Sequence, residues 1–490
     1  MAEAAKKSRN KIYAAGVVIF LAILSILYYI SAPVYMYIIA YMWFGFLYGI
    51  LQQYGRFCFA SAWRDLIMVK VPRMFVGIMI GLMTLSIINA YVVSIYPDKY
   101  VVDAIGFHVL LGGLLFGLGM VLAGGCATGS LYKTGEGNMI SLVVLLTLSF
   151  AQAIFAATLM DPFTEHFITG HTWNNISLTT LLFGGVTDGK IPKYSFVQHL
   201  LGDSFINAIL VSVLLLIVVY IIWARRPFIK RRSQALSAAA AAAADGGTVK
   251  MGFKDELAGF WSMISASKRT TIAAILIGIV AAAQIFTLAW LQNRDDFTNF
   301  GQVLAGKPAS GGPIPSSWPQ GNNGQPVDSG VSKNNTVFDP GYWYITTQEA
   351  MAAGWTINSA GINMKDNNYF GAVNGLPKPW NSPALLLSFG LILGATFKSL
   401  LAREFKWKFP TRELFIYAVI GGTLMGIGAR VGLGCNIGAF YGPAAFGNPS
   451  GWIFFIGMGL GAFLSAQAVN YFANKKMAKQ IESMDFDIEL

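Results

Sequence analysis

The chain has 490 residues, of which 55% are hydrophobic and only 12% are charged. Soluble globular domains carry about twice that charged fraction, so the composition excludes an ordinary soluble protein. The formal net charge of +11 does not indicate a nucleic-acid partner, because the Lys and Arg residues lie between apolar runs and not on one amphipathic face.

Apolar runs long enough to cross a bilayer recur along the whole chain. A membrane-spanning helix needs about 20 mostly apolar residues. We predict about ten such spans, at roughly residues 12–30, 34–54, 73–95, 105–123, 139–160, 201–223, 270–290, 383–401, 412–429 and 451–473. The first run lacks a clear cleavage site and is followed at once by a second, so we interpret it as an uncleaved anchor. The predicted fold class is an all-α polytopic membrane protein.

The loops between the predicted spans alternate in charge. Lys and Arg residues cluster before the first span and after the second, sixth, eighth and tenth spans. Basic loops remain on the cytoplasmic side of a membrane. We therefore expect a protein of the cell inner membrane with both termini in the cytoplasm.

Two long connections interrupt the series of spans. The cytoplasmic connection, residues 224–269, combines a basic cluster with an Ala-rich run, which is typical of a flexible or partly helical tether. The outer connection, residues 291–382, is long enough to be functional or disordered, and we consider it a candidate docking site for an outer partner. Within it, Thr346 and Glu349 have capping-box spacing ahead of an Ala-rich stretch, which predicts one short helix.

The strongest signal in the sequence is an internal repeat. Residues 112–132 and 421–441 align without a gap at an offset of 309, and nine of the 21 positions are identical. The predicted orientation makes the two copies run in opposite directions across the membrane. Inverted repeats of this kind are common in transporters, whose substrates bind near the bilayer midplane at broken helices.

Each copy of the repeat contains a Cys bracketed by glycines. The positions are Cys126 with Gly125 and Gly129 in the first copy, and Cys435 with Gly434 and Gly438 in the second. Glycine clusters break helices, and irregular backbone at membrane depth is tolerated where it is buried or lines a cavity. Free N–H groups at the start of a new helix also favour anions. We therefore predict two re-entrant Gly-Cys loops that bind an anion.

The thiols indicate which kind of anion binds. Cys58, the third Cys of the chain, follows the second span. A thiol is a soft, polarizable group and a weak donor, which suits a substrate with a terminal sulfur atom. Thiosulfate has one soft sulfur and three hard oxygens, whereas sulfate lacks the soft contact.

Three charged residues near these loops are further candidates for the binding site. Arg430 lies inside the second repeat, where an intramembrane Arg indicates a functional role, and we expect it to attract the anion. Arg56 either attracts the anion or is only one of the basic residues that flank a span on its cytoplasmic side. Glu136, with Lys133, is either an ordinary interfacial residue or part of an inner gate.

Residues 124–137, 56–58 and 434–438 together resemble the YeeE/YedE family of sulfur-compound transporters. The resemblance implies an hourglass-like protein whose loops dip inward from both faces. It also implies that three Cys residues along the axis, here Cys58, Cys126 and Cys435, pass thiosulfate by S–H···S contacts without a lasting covalent adduct. This chain departs from compact members by an extra first span and by its two long connections.

The predicted organisation has seven parts: an extra N-terminal anchor (1–33), a first repeat half (34–223), a basic and Ala-rich linker (224–269), a transmembrane helix (270–290), a long outer loop (291–382), a second repeat half (383–473) and a cytoplasmic tail (474–490). We expect a transporter and not an enzyme, with no cofactor and no metal. The alternatives are a membrane sulfur-transferase, a transporter of another sulfur or selenium species, and an assembly subunit that presents the outer loop. Candidate partners are thiosulfate, membrane lipid, a cytoplasmic sulfur-carrier protein and an outer protein.

Overall fold

The protein is a bundle of helices, and its described residues contain no β-strand. A computed structural model describes residues 2–31, 35–96, 106–159, 205–242, 252–292, 345–364, 370, 376 and 378–488. The helices are α1 (Ala2–Ser31), α2 (Met36–Gly55), α3 (Phe59–Arg64), α4 (Arg73–Ile95), α5 (Phe107–Leu122), α6 (Ala127–Gly135), α7 (Met139–Thr158), α8 (Phe205–Val219), α9 (Arg225–Ala242), α10 (Phe253–Ile264), α11 (Lys268–Gln292), α12 (Ile345–Ser359), α13 (Pro383–Leu401), α14 (Arg412–Val431), α15 (Gly442–Ala445) and α16 (Pro449–Ile488). The prediction of an all-α polytopic membrane protein is confirmed.

Nine stretches of helix in the described chain are long and apolar enough to cross a membrane. They match nine of the ten predicted spans. The remaining predicted span, 34–54, is the 20-residue helix α2, which is not one of the nine because its Tyr, Gly and Gln residues reduce its apolar character. It nevertheless lies inside the bundle, between α11 and α13.

Both predicted Gly-Cys loops interrupt a helix. In the first copy of the repeat α5 ends at Leu122 and α6 begins at Ala127. In the second copy α14 ends at Val431, and a π-helical turn, Asn436–Tyr441, leads into α15. Gly124 and Leu433, which are equivalent in the repeat, both have left-handed backbone, with φ of 67° and 61°. The two loops therefore share the same turn as well as similar sequences.

The repeat copies pack against each other reciprocally, as two-fold symmetry requires. Gly119 of α5 faces Gly421 of α14, where an added Cβ would lie 2.5 Å from the Gly421 carbonyl oxygen. The equivalent contact joins Gly428 to Gly112, with a Cβ at Gly428 lying 2.8 Å from the Gly112 carbonyl oxygen. Because the later residue of α5 meets the earlier residue of α14, the two helices are antiparallel, as predicted for inverted copies.

The helices that follow the loops exchange partners in the same way. Gly113 of α5 faces Phe454 and Met458 of α16, while its equivalent Gly422 of α14 faces Val144 and Leu148 of α7. The partners are themselves equivalent, because the offset between the two copies increases from 309 to 310 after the loops, where Gly137-Asn138 aligns with Gly447-Asn448. The helix before each Gly-Cys loop therefore packs parallel to the last long helix of the other copy: α5 packs against α16, and α14 packs against α7. Both loops are thus enclosed by both halves.

The same exchange extends to the helices before the loops. α2 packs parallel to α13, with Gly45 against Leu387 and Gly390 against Met42. α4 packs parallel to α11, where a Cβ at Gly278 would lie 2.7 Å from the Gly81 carbonyl oxygen. Glycines on both pairs allow the backbones to approach closely, as in other membrane helix pairs.

The two long connections are described only in part. In the connection of residues 224–269, α9 packs against α10, and Arg225 binds Glu256 at 2.7 Å. This ion pair lowers the pKa of Glu256 below its usual range. Most of residues 291–382, the connection predicted to dock an outer partner, lies outside the described residues. The domain boundaries given above stay predictions.

Candidate functional site

The end of α2 directs the chain toward the first buried thiol. Arg56 follows α2 in a left-handed conformation, with φ of 54°, so the helix stops and the chain turns back into the bundle. Cys58 then has extended backbone, and α3 starts at Phe59. The Cys58 side chain is 1% exposed.

The first Gly-Cys loop brings a second thiol to the same place. Cys126 is fully buried and directly precedes α6, where its Sγ accepts a hydrogen bond from the Gly129 N–H at 3.3 Å. Its Sγ lies 3.8 Å from the Sγ of Cys58, within hydrogen-bonding reach for a thiol. Two of the three predicted Cys residues therefore form a buried thiol pair, and both are free thiols.

Gly129 allows both sulfur atoms to pack against the backbone of α6. A Cβ at this position would lie 2.6 Å from the Cys58 Sγ and 3.2 Å from the Cys126 Sγ. Gly125 is similarly restricted, since a Cβ there would lie 3.1 Å from the Ser130 Oγ. Lys133 closes the loop by donating from Nζ to the Gly124 carbonyl oxygen at 2.7 Å. The glycines thus allow the thiols and the backbone to approach each other closely.

Arg56 and Glu136 form an ion pair near this loop. The Arg56 guanidinium binds Glu136 at 2.6 Å and Glu404 at 2.7 Å, and Gln53 donates to Glu404. The Arg56 side chain is 51% exposed, whereas that of Glu136 is only 14% exposed. Burial raises the pKa of Glu136 above its usual range, since it outweighs the opposing effect of Arg56. Lys133, which the sequence pairs with Glu136, instead binds the loop backbone.

Cys435, in the second Gly-Cys loop, has different neighbours from those of Cys126. Its Sγ lies close to the backbone N–H groups of Gly438 and Ile437 and to the Thr346 side chain, but unlike the Cys126 thiol it makes no capping hydrogen bond to the turn that follows. Gly434 packs so tightly that a Cβ would lie 2.9 Å from the Ala439 nitrogen. Cys435 is 1% exposed, and its contacts come from its own loop and from α12.

Arg430 is buried close to the same helix. It lies in the last turn of α14, is 4% exposed and donates from Nη2 to the Thr347 Oγ1 at 3.0 Å. Burial of a guanidinium is costly unless it is hydrogen-bonded. Arg430 and Cys435 thus approach neighbouring residues of one helix, α12.

The second loop also contacts the segment that carries Cys58. Phe59, which follows Cys58, packs edge-on against Phe440 and Tyr441, with ring centroids 6.0 and 5.9 Å apart. These aromatic contacts connect the segment around Cys58 to the second loop. All three thiols are consequently held by one continuous buried core.

Helix α12 is the main feature of the site that sequence reasoning missed. The short helix predicted in the outer connection is present, but the described helix begins at Ile345, so Thr346 is not an N-cap and the capping-box interpretation is wrong. Thr346, Thr347, Gln348 and Glu349 are all buried. The sequence signal for this helix is the run of four polar residues before an Ala-rich stretch. Ser382 secures the run by donating to the Gln348 Oε1 at 2.5 Å.

The family comparison covers most of the chain. A sequence model described as sulphur transport matches residues 54–309 and 335–464. These ranges include Cys58, both Gly-Cys loops and helix α12.

Several curated transporters are similar to this chain. The thiosulfate transporter TsuA of Escherichia coli strain K12 is 24% identical over 429 residues, which cover 87% of this chain and 92% of that protein. The TsuA of Spirochaeta thermophila is 25% identical over 405 residues, covering 81% of this chain and 88% of that protein. The probable transporter YedE of E. coli strain K12 is 38% identical over 98 residues, covering 20% of this chain and 24% of that protein.

Proposed function

Because this chain belongs to the sulphur transport family, a family of membrane transporters and not of enzymes, we propose that it carries thiosulfate into the cell through a central path lined by its thiols. Two relatives that it matches over most of their length are named thiosulfate transporters. The observation that carries the proposal is the buried pair of Cys58 and Cys126, with sulfur atoms 3.8 Å apart.

The thiol pair is chemically suited to the soft end of thiosulfate. Each thiol can donate a weak hydrogen bond to the terminal sulfur, and each sulfur is polarizable. The 3.8 Å separation of the two Sγ atoms lets the substrate exchange one thiol contact for the next. No covalent bond forms in this mechanism, so the substrate leaves chemically unchanged.

Backbone and polar groups are suited to the oxygen end. Gly129 directs its N–H to the Cys126 Sγ, and the Gly438 N–H lies close to the Cys435 Sγ. Such N–H groups at the start of a helix favour negative charge. Arg430 supplies the buried positive charge near Cys435, and its contact with Thr347 keeps it oriented.

Arg56 and Glu136 control one end of the proposed path. Arg56 is bound to two carboxylates, so its charge is already compensated and an incoming anion must compete for it. We assign this ion-pair group to an inner gate, on the side where the predicted orientation places the cytoplasm. A cytoplasmic sulfur-carrier protein is the proposed acceptor on that side.

The experiment is uptake of radiolabelled thiosulfate by purified protein in proteoliposomes. We expect saturable uptake above the level of protein-free liposomes, inhibited by excess unlabelled thiosulfate. Uptake equal to that of protein-free liposomes under all imposed gradients would overturn the proposed function.

A further inference from the structure

Helix α12 contains a buried acidic residue that has no role in the proposed transport path. Glu349 is 6% exposed, and within the described residues no hydrogen-bond donor reaches its Oε2. It lies one turn after Thr346, whose side chain lies close to Cys435. We propose that Glu349 binds the proton that is cotransported with the anion. This inference deepens the proposed function and rests on it.

Among the described residues, the charged and titratable groups around Glu349 do not supply a counter-ion. Within the described residues it makes no ion pair, and Arg430 donates to Thr347 instead. Cys435 is close enough to interact electrostatically with it. The Glu349 carboxyl therefore lies near a thiol and, within the described residues, pairs with no cation.

Within the part of the chain that the structure describes, the helices packed against α12 supply no further partner. Those neighbours are α7, α13 and α6, together with the 3₁₀ turn Pro379–Asn381. Helix α7 has no titratable side chain among its described residues. Lys398 of α13 lies over the Tyr54 ring, Lys133 of α6 binds the Gly124 carbonyl, and Lys378 lies over the Trp380 ring. Tyr132, the other titratable residue of α6, interacts with the thiol pair and Glu136.

The surroundings of Glu349 favour the neutral acid when the anion is near. A buried carboxylate without a partner is unfavourable because it loses hydration, and it repels an anion at Cys435. The protonated acid removes that repulsion and adds a hydrogen-bond donor. Binding of the proton therefore favours binding of the anion, and binding of the anion favours binding of the proton.

The proton moves with the substrate in a simple sequence. Glu349 takes a proton from the outer solution, the anion binds beside it, and the proton leaves to the cytoplasm when the anion has left. Each proton carried reduces the negative charge that must enter against an inside-negative potential. A gradient that is acidic outside then drives accumulation.

The experiment compares driven accumulation with exchange in proteoliposomes, with the membrane potential clamped at zero. For one proton per anion, an inward gradient of about one pH unit gives about tenfold accumulation of thiosulfate by the wild-type protein. Glu349→Gln, which keeps the shape of the side chain but cannot release a proton, should show no accumulation and still exchange labelled for unlabelled thiosulfate. Glu413→Gln is the control, since Glu413 is exposed and paired with Lys476.

The outcomes separate the inference from the proposed function. A wild-type protein that does not exchange thiosulfate at all contradicts the proposed function. A wild-type protein that exchanges but ignores the pH gradient overturns the role of Glu349, as does Glu349→Gln with normal accumulation. If Glu349→Gln is inactive in both assays, Glu349→Asp decides: it should respond to the gradient, and an exchanging Glu349→Asp protein that does not respond overturns the inference.

Discussion

Cys58 and Cys126 are separated by 68 residues in the chain, yet their sulfur atoms lie 3.8 Å apart in the core. One thiol follows α2 and the other follows α5, and both positions exist because a helix stops inside the bundle. Gly129 completes the arrangement, since its missing side chain allows both sulfur atoms to pack against its backbone. The first three predictions follow from this pair and from the packing of the repeat around it.

Replacing Cys126 tests whether the thiol is needed beyond its volume. We expect Cys126→Ala to insert and fold but to reduce thiosulfate uptake to the level of protein-free liposomes, because the contact with Cys58 is lost. The matched control is Ser212→Ala, which removes one γ atom from a fully buried residue bonded to the Ala208 carbonyl. Near-normal uptake by Cys126→Ala would show that this thiol is only a packing residue.

Adding a side chain at Gly129 tests the same site with all three Cys residues intact. An added methyl would lie 2.6 Å from the Cys58 Sγ, so we expect Gly129→Ala to displace the thiol and abolish uptake. Overpacking of this kind costs about 1–3 kcal/mol of stability. Gly16→Ala in α1 is the control, since a Cβ there meets nothing within 4 Å. Wild-type uptake by Gly129→Ala contradicts a path beside this residue.

The reciprocal packing of the repeats predicts paired stability effects. Gly119→Ala and Gly428→Ala occupy equivalent positions, and each added Cβ would approach the backbone of the opposite copy within 2.6 Å. We expect both variants to lower the thermal midpoint in detergent by similar amounts, with a cost of about 1–3 kcal/mol. Gly16→Ala should be neutral or slightly stabilising. A large effect of one variant and none of the other would argue against symmetric copies.

Glu136 predicts a specific pH dependence of stability. Burial raises its pKa in the folded protein, so the folded state binds this proton more strongly than the unfolded chain. The resulting stabilisation is complete below the ordinary carboxyl pKa and is lost as pH rises through the raised folded value. The difference in thermal midpoint between wild type and Glu136→Gln should therefore fall as pH rises from about 4 to about 7. A difference that grows with pH would mean that Arg56 outweighs burial.

Much of the fold could be predicted because its signals are local. Apolar runs predict the spans, and the repeat of Gly112 to Tyr132 in 421–441 predicts the two broken helices and their opposite directions. The same local rules explain the equivalent caps: Asn138 and Asn448 each accept a hydrogen bond from the N–H two residues later, at 3.1 and 3.0 Å.

The rest depends on contacts between distant segments and could not be predicted. Spacing does not indicate that Cys58 meets Cys126, or that Arg56 is bound to Glu136 and Glu404. Helix α12 was predicted only as a short helix in an outer loop, since its polar residues read as solvent-exposed. Its burial arises from packing against α7 and α13, and that packing is what brings Glu349 close to Cys435.

The most direct test of the account is selective uptake. Radiolabelled thiosulfate uptake is measured with sulfate as competitor, for wild type and for the Cys58→Ser/Cys435→Ser double variant. Soft contacts should make sulfate a competitor at least about tenfold weaker than thiosulfate in the wild type, a difference of about 1.4 kcal/mol. The double variant, which keeps size and hydrogen bonding but hardens both contacts, should lose thiosulfate uptake and leave any sulfate leak unchanged. Equal competition by sulfate in both proteins would contradict the role of the thiols and leave anion recognition to the backbone loops and Arg430.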